Sequence, residues 1–302
     1  MPAGKMHVNE VDTDATLVHR LLAAQFPHWS DLPIAPVESA GTDNALYRLG
    51  GDMAVRLPRI HWAVGDIEKD LQWLPRLAPH LPLAIPVPLA LGTPAEGYPW
   101  HWGVHRWLAG ENATLDRIAD PRQTATALAQ FITALQAIDT TGGPLAAEHG
   151  LRGVSLTARD EDTRAAILAL DGTIDVEAAT AVWEAALRAP EWNRAPVWFH
   201  GDLLPGNLLF ERGRLSAVID FAGLGVGDPA CDLMIAWGLF SGESRDTFRA
   251  ALAVDDATWA RGRGMALSQA AIFIPYYLDT NPVGVANARH AIAEVLADQR
   301  AR

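Results

Sequence analysis

Three polar residues, Asp202, Asn207 and Asp220, stand at spacings, and beside apolar runs, that suit phosphoryl transfer. Val197, Trp198 and Phe199 lead into His200-Gly201-Asp202, and Asn207 follows five residues after Asp202, just before Leu208-Leu209-Phe210. The pattern predicts strand, tight polar loop and strand, then a turn at Glu211-Arg212-Gly213-Arg214 and a strand from Leu215 to Ile219 that delivers Asp220 at its end. A phosphoryl group moving to a hydroxyl needs a carboxylate that orients the hydroxyl and takes its proton, and it needs hard oxygen ligands for magnesium. Asp202 suits the first task. The amide oxygen of Asn207 and the carboxylate of Asp220 suit the second, because magnesium keeps most of its shell as water and phosphate. Taken singly, Asp202 and Asn207 also read as turn formers and Asp220 as a strand-end cap; their shared order and spacing favours the chemical reading. His200 reads as a brace for the loop.

The spacing His-x-Asp, four residues, Asn, then Asp-Phe is that of the protein-kinase catalytic loop and metal-binding strand. His200-Gly201-Asp202, Pro205-Gly206-Asn207, Ile219-Asp220-Phe221 and Gly227-Asp228-Pro229-Ala230-Cys231-Asp232-Leu233 together resemble the aminoglycoside phosphotransferase family, a branch of the kinase-like fold that includes choline and homoserine kinases. The resemblance implies an α+β, two-lobed protein-kinase-like fold. A small antiparallel β-sheet lobe with a bracing helix, nucleotide-binding, is expected over 1–108, and a larger, mainly helical catalytic and substrate-binding lobe over 109–302. It also implies Asp202 as base, Asn207 and Asp220 as Mg2+ ligands, ATP or GTP as donor and a small-molecule hydroxyl as acceptor. An aminoglycoside-type antibiotic is the acceptor that the family name suggests; a macrolide, another small metabolite or a catalytically silent nucleotide sensor are the alternatives. Ala222 departs from the glycine of many kinases, and Gly223 and Gly225 are expected to supply the missing flexibility.

Those groups need elements to position them. Leu17, Leu21, Leu22 and Phe26 recur at helical spacing, with Asp12 and Thr13 as candidate caps. Residues 33–40 read as extended, Gly41-Thr42-Asp43-Asn44 as a loop and Ala45 to Leu49 as a strand that turns at Gly50-Gly51 into Asp52 to Leu57. Met53, Val55 and Leu57 share one face of that last strand and Ala54 and Arg56 the other. Ala54-x-Arg56 is similar to the Ala-x-Lys pattern of kinases, which implies Ala54 beside adenine and Arg56 on the phosphates. Gly41, Thr42 and Asn44 would then lie over the phosphates, offering backbone N–H groups and short polar side chains. A helix from Asp66 carries the stripe Ile67, Leu71, Leu74, and Pro75 is expected to kink or end it. At ~100° per residue Asp70 falls about 70° from the stripe's centre and Glu68 about 90° away on the other side. Asp70 is therefore the expected partner for Arg56, ahead of Glu68.

A strand over 99–108 carries His101 and His105, read as packing because no third ligand or HExxH accompanies them. The composition breaks at Ala109-Gly110-Glu111-Asn112, the expected hinge, and the resemblance implies Trp107 to Ala109 against the base. A helix over 120–138 gathers Ala127, Phe131, Leu135 and Ile138 on one apolar face. Residues 140–195 are mostly polar with helical patches, and Asp160-Glu161-Asp162 reads as a solvated face or an acceptor contact. Helices fill the remainder, with Asp228 and Asp232 expected to cap and lock the first beneath the catalytic loop. Most of the eleven tryptophans should be core; an aromatic wall for a flat substrate is the other reading.

Composition narrows the classes. A 302-residue chain that is 49% hydrophobic predicts about two packed domains. A net charge of -12 argues against nucleic acid or an anionic membrane as partner and suits a cationic substrate, though it also serves solubility. The single cysteine, Cys231, excludes an internal disulfide. There is no apolar leader and no run near the ~18 residues of a membrane span, so a cytoplasmic location is expected; the oligomeric state is left open. Seven residues between Asp220 and Asp228 leave no room for a protein-kinase activation segment, and Ala189-Pro190-Glu191 stands upstream, in the wrong order. No Walker loop or G-x-S-x-G elbow occurs, and Gly223-x-Gly225-x-Gly227 misses the dinucleotide spacing.

Overall fold

The structure, a computed structural model, describes residues 9–37, 43–114, 118–146 and 152–300; Gly41 and Thr42 lie outside the described residues. The chain divides into two compact units, one of residues 1–79 and 84–109, the other of 80–83 and 110–302. The break falls between Ala109 and Gly110, one residue later than the sequence places it, and residues 80–83 join the second unit.

The first unit is an antiparallel sheet with a helix on each face. Its elements are α1 (Ala15–Gln25), β1 (Ile34–Pro36), β2 (Asn44–Leu49), β3 (Met53–Pro58), α2 (Asp66–Leu77), β4 (Pro88–Gly92) and β5 (Trp102–Arg106), and the strand order is β1-β2-β3-β5-β4. The cap of α1 is Asp14, whose carboxylate accepts the Leu17 N–H at 2.6 Å, and not Asp12 or Thr13. Only the residue immediately before the helix has the geometry to reach the N3 amide. Met53, Val55 and Leu57 of β3 pack in one cluster with Leu17, Val18, Leu21 and Leu22 of α1, and burial of each such side chain is worth about 1.5–3 kcal/mol. The opposite face presents Arg56 to α2.

That second helix departs from expectation in two ways. Pro75 does not stop it, since α2 runs on to Leu77; near the C-terminal end the ring forfeits only one bond before the helix stops anyway. The buried stripe is Ile67, Asp70, Trp73, Leu74 and Leu77, whereas Leu71 is 38% exposed. A polar residue thus occupies a core position, which calls for a partner.

The second unit continues with β6 (Glu111–Asn112), α3 (Pro121–Gln136), α4 (Asp160–Ala169), α5 (Val176–Arg188), β7 (Val197–Phe199), β8 (Leu208–Glu211), β9 (Arg214–Val218), β10 (Gly225–Gly227), α6 (Ile235–Gly238), α7 (Gly242–Leu252), α8 (Asp256–Tyr277) and α9 (Pro282–Arg300). α8 packs against α4, α5 and α9, and α3 packs against α7. The buried face of α3 is wider than the predicted stripe, adding Leu128 and Ile132 to Phe131 and Leu135. Trp183, Trp198, Trp237 and Trp259 are buried in this unit, which assigns them to the core. No helix among the described residues is long and apolar enough to cross a membrane.

Candidate active site

Strand β7 ends at Phe199, and His200-Gly201-Asp202 leaves it as a loop fixed from three sides. Asp232, fully buried in the short helical turn at Pro229–Met234, accepts the N–H groups of His200 at 2.8 Å and Gly201 at 2.7 Å. Burial pushes this carboxyl up to about 7, against the pull of its two N–H bonds. A carboxyl raised in the folded state supports folding at low pH and loses that contribution as the pH climbs from the ordinary ~4 toward 7. His200 braces the loop from inside: its Nδ1 accepts the Asp202 N–H at 3.1 Å and its Nε2 donates to the Ile219 carbonyl at 3.1 Å, which fixes the neutral tautomer. Phe221 lies against the imidazole, ring centroids 4.5 Å apart. Gly201 completes the clamp with φ +78°, where an added Cβ would stand 2.3 Å from the Gly223 carbonyl oxygen. Gly223 faces the same contact, an added Cβ there falling 3.0 Å from the His200 carbonyl oxygen, so both glycines serve close backbone approach.

Asp232→Asn should destabilise the protein by about 1–3 kcal/mol, because the amide can accept only one of the two buried N–H groups and turns its own donor on the other. Chemical denaturation below about pH 6, where the raised carboxyl is protonated and neither parent nor variant buries a charge, checks this; an unchanged midpoint would mean the loop is held elsewhere.

The hairpin of β8 and β9 then brings the second acid to the loop. Leu208 pairs with Val218, and the Ile219 N–H donates to the Asn207 carbonyl at 2.9 Å, so Asp220 follows directly after the residue paired with Asn207. Asp220 holds a left-handed backbone, φ 62° and ψ 77°, a conformation that costs roughly 1–3 kcal/mol in a non-glycine residue and collects at functional sites. Asn207 Nδ2 donates to the Asp202 carbonyl and to Asp202 Oδ2, both at 2.9 Å. Its nitrogen end is thereby committed, and the oxygen end is the one left for a cation. One amide oxygen and one carboxylate fit magnesium, which asks for one or two protein oxygens rather than a cage; no cluster of three or more His, Cys, Asp or Glu able to hold a metal occurs among the described residues.

Arg152 is the group that sequence reasoning missed. Its Nη1 donates to Asp202 Oδ1 at 2.9 Å and also to the Gly201 carbonyl. Asp228 caps the following turn through the Ala230 N–H at 3.0 Å and pairs with Arg261 at 2.7 Å. Asp160 accepts Trp183 Nε1 at 2.7 Å and Arg164 Nε at 2.8 Å, so that acid is spent on structure. A cavity of about 300 Å³ in this unit, walled in part by Leu156, Trp192, Arg194 and Arg261, includes none of Asp202, Asn207 and Asp220.

In the first unit Arg56 Nη1 donates to Asp70 Oδ2 at 2.8 Å, with the two side chains 10% and 1% exposed. Glu68 bonds His101 Nδ1 instead. His101 is thus a half-exposed partner of an acid, not packing, while His105 is buried 3.7 Å from Asp70. Ala54 is buried on the Arg56 face, and Asn44 opens β2 with its Oδ1 buried and unpartnered. The Trp107 N–H donates to the Asp52 carbonyl at 2.8 Å, and its ring carries the Arg48 guanidinium at 4.2 Å, so this amide is taken by the sheet and not offered to a base. Ala109 closes the first unit.

A five-stranded sheet with a bracing helix, followed by a helical unit whose His-x-Asp loop meets an Asn and a strand-end Asp, defines the kinase-like phosphotransferase class. The sequence profile of the phosphotransferase enzyme family matches residues 35–265, and the chain belongs to that family. Among curated protein sequences none matches. Of solved structures, the GDP complex of wild-type aminoglycoside 2'-phosphotransferase-IIIa is similar at a TM-score of 0.74 and 18% identity, covering 95% of this chain and 100% of that one. The GDP and kanamycin complex of APH(2")-IIia gives 0.69 and 20%, covering 94% and 98%. The macrolide 2'-phosphotransferase MphH from Brachybacterium faecium gives 0.59 and 24%, covering 93% and 98%. At these identities the likeness is one of fold.

Proposed function

We propose that this phosphotransferase moves the γ-phosphoryl group of ATP or GTP to a hydroxyl of a small molecule, with an aminoglycoside-type antibiotic as the named acceptor. The observation that carries the reading is the hairpin register, which sets Asp220 next to Asn207 while the Asn207 amide nitrogen stays on Asp202. In the proposed step the acceptor oxygen attacks the γ-phosphorus, the bond to the β-phosphate oxygen breaks, the nucleoside diphosphate leaves and the hydroxyl proton passes to Asp202. Asn207 Oδ1 and Asp220 would hold Mg2+, which when bound offsets the charge on the phosphate oxygens. The first unit is assigned to the nucleotide, with Arg56 on the phosphates, Asp70 fixing its other edge and Ala54 beside the base. Relatives solved with GDP, ADP or ATP support a purine nucleotide donor.

A second acceptor reading has one observation in its favour. The guanidinium of Arg152 lies on Asp202, and two unit charges ~4 Å apart interact by about 4 kcal/mol near a protein surface. The pairing offsets the attraction that the Asp202 carboxylate would otherwise exert on an ammonium beside the reacting hydroxyl, and so favours a less cationic acceptor, such as a macrolide or a neutral sugar. A thermal-shift panel of nucleotides and hydroxylated ligands with magnesium tests the function. Joint stabilisation by a nucleotide and one acceptor class supports it; nucleotide stabilisation with no acceptor response across the panel favours a silent sensor.

The pair Arg56 and Asp70 makes a separate prediction. Arginine reaches further than lysine and aspartate is one methylene shorter than glutamate, so the two departures compensate. Arg56→Lys and Asp70→Glu should each lower activity, and the double variant should recover part of the loss, with a coupling of at least ~0.5 kcal/mol. Strict additivity in kcat/KM would sink the compensation.

A further inference from the structure

We propose that Arg152 is a positioning residue for phosphoryl transfer, acting through Asp202; the inference rests on Asp202 being the base. Arg152 Nη1 holds Asp202 Oδ1 at 2.9 Å while Asn207 Nδ2 holds Oδ2 at 2.9 Å. The terminal torsion of an aspartate is otherwise broad and roughly two-fold. With one donor on each oxygen the carboxylate cannot rotate without breaking a charge-assisted hydrogen bond. Each oxygen keeps a second lone-pair site for an incoming hydroxyl.

The guanidinium is not a wandering surface group. Its side chain is 17% exposed, and the backbone beside it is clamped to the elements that carry the loop. Gly153 packs so closely on Phe199, the residue before His200, that an added Cβ would stand 2.1 Å from the ring. Its carbonyl accepts the Asp228 N–H at 2.9 Å. The segment that bears Arg152 is therefore fixed on one side by β7 and on the other by the stretch entering the turn of Asp232. Arg159 lies near enough for the two cations to feel each other: burial first, and then the charge of Arg152, lowers its guanidinium to about 10. A like charge here is tolerated because Asp202 is bonded to Arg152 and the Asp232 carboxyl lies near enough to feel its charge. The loop backbone is already held by Asp232 and His200, to which Arg152 adds one bond on the Gly201 carbonyl; its distinctive contribution is the orientation of the carboxylate.

Arg152→Ala should lower kcat by ~10- to 10²-fold, the scale on which misplacement of a reacting group is felt. The KM for nucleotide should stay near that of the parent, and the thermal midpoint should fall by a few degrees as the bonds to Asp202 and the Gly201 carbonyl are lost. Millimolar guanidinium should restore part of kcat beyond matched sodium chloride, and Arg152→Lys should fall between the two. In an Asp202→Asn background, Arg152→Ala should cost nothing further. Parent-like kcat in Arg152→Ala, the same loss in both backgrounds, or no recovery with either lysine or guanidinium would overturn the proposal. If Asp202→Asn itself keeps near-parent turnover, the base reading fails first; if it is crippled and Arg152→Ala is not, only the role of Arg152 fails.

Discussion

Asp202→Asn should leave MgATP affinity within a few fold and lower turnover by ~10²-fold or more. The carboxylate sits at the end of a loop braced by His200, Gly201 and Asp232, and it meets Asn207 and Arg152, one donor on each oxygen. An amide in that place can still accept from one of them but turns its NH2 toward the other. It can neither take a proton from the acceptor nor orient the hydroxyl as a carboxylate does. The loss of one hydrogen bond costs stability by about 1–3 kcal/mol, small beside the kinetic effect. Steady-state kinetics with nucleotide binding measured separately checks the split, and a variant retaining near-normal turnover would remove Asp202 from the mechanism.

Asp220→Ala should abolish magnesium-dependent nucleotide binding. Between the two proposed ligands Asp220 alone carries a charge, and an amide oxygen cannot hold a strongly hydrated divalent ion by itself. Alanine tolerates the left-handed backbone at φ 62° no better than aspartate, so the substitution brings no gain in stability while affinity collapses. Calorimetric titration with and without magnesium reads this directly. Unchanged MgATP affinity would put the metal elsewhere.

The parts of the site legible in the sequence are those whose chemistry is local. Asp202, Asn207 and Asp220 are tied by one loop and one hairpin, so residue type and spacing alone express their geometry. The partner of Arg56 was legible for a different reason: Asp70 lies on a helix whose period fixes its face, and the structure seats it on the guanidinium at 2.8 Å. Arg152 was not legible, because it reaches Asp202 across fifty residues and its only local sign is the glycine that follows it. His101 was misread because the lack of a metal-ligand pattern argues only against a metal and says nothing of Glu68, which bonds it from a neighbouring helix. Pro75 was misread because a proline near a helix end costs far less than one in the middle. The α2 stripe shifted for the same reason that the Arg56 pair exists: a core position is held by a paired carboxylate, which hydrophobic periodicity does not count.

The most direct test is a phosphoryl-transfer assay of the parent chain and Asp202→Asn side by side, with ATP or GTP, magnesium and the acceptor found by the binding panel. The expected result is one phosphoryl group on the acceptor for each nucleoside diphosphate released, dependent on magnesium, and lost in Asp202→Asn while that variant still binds nucleotide. Transfer that persists undiminished in Asp202→Asn, or that proceeds without a divalent cation, would contradict the mechanism.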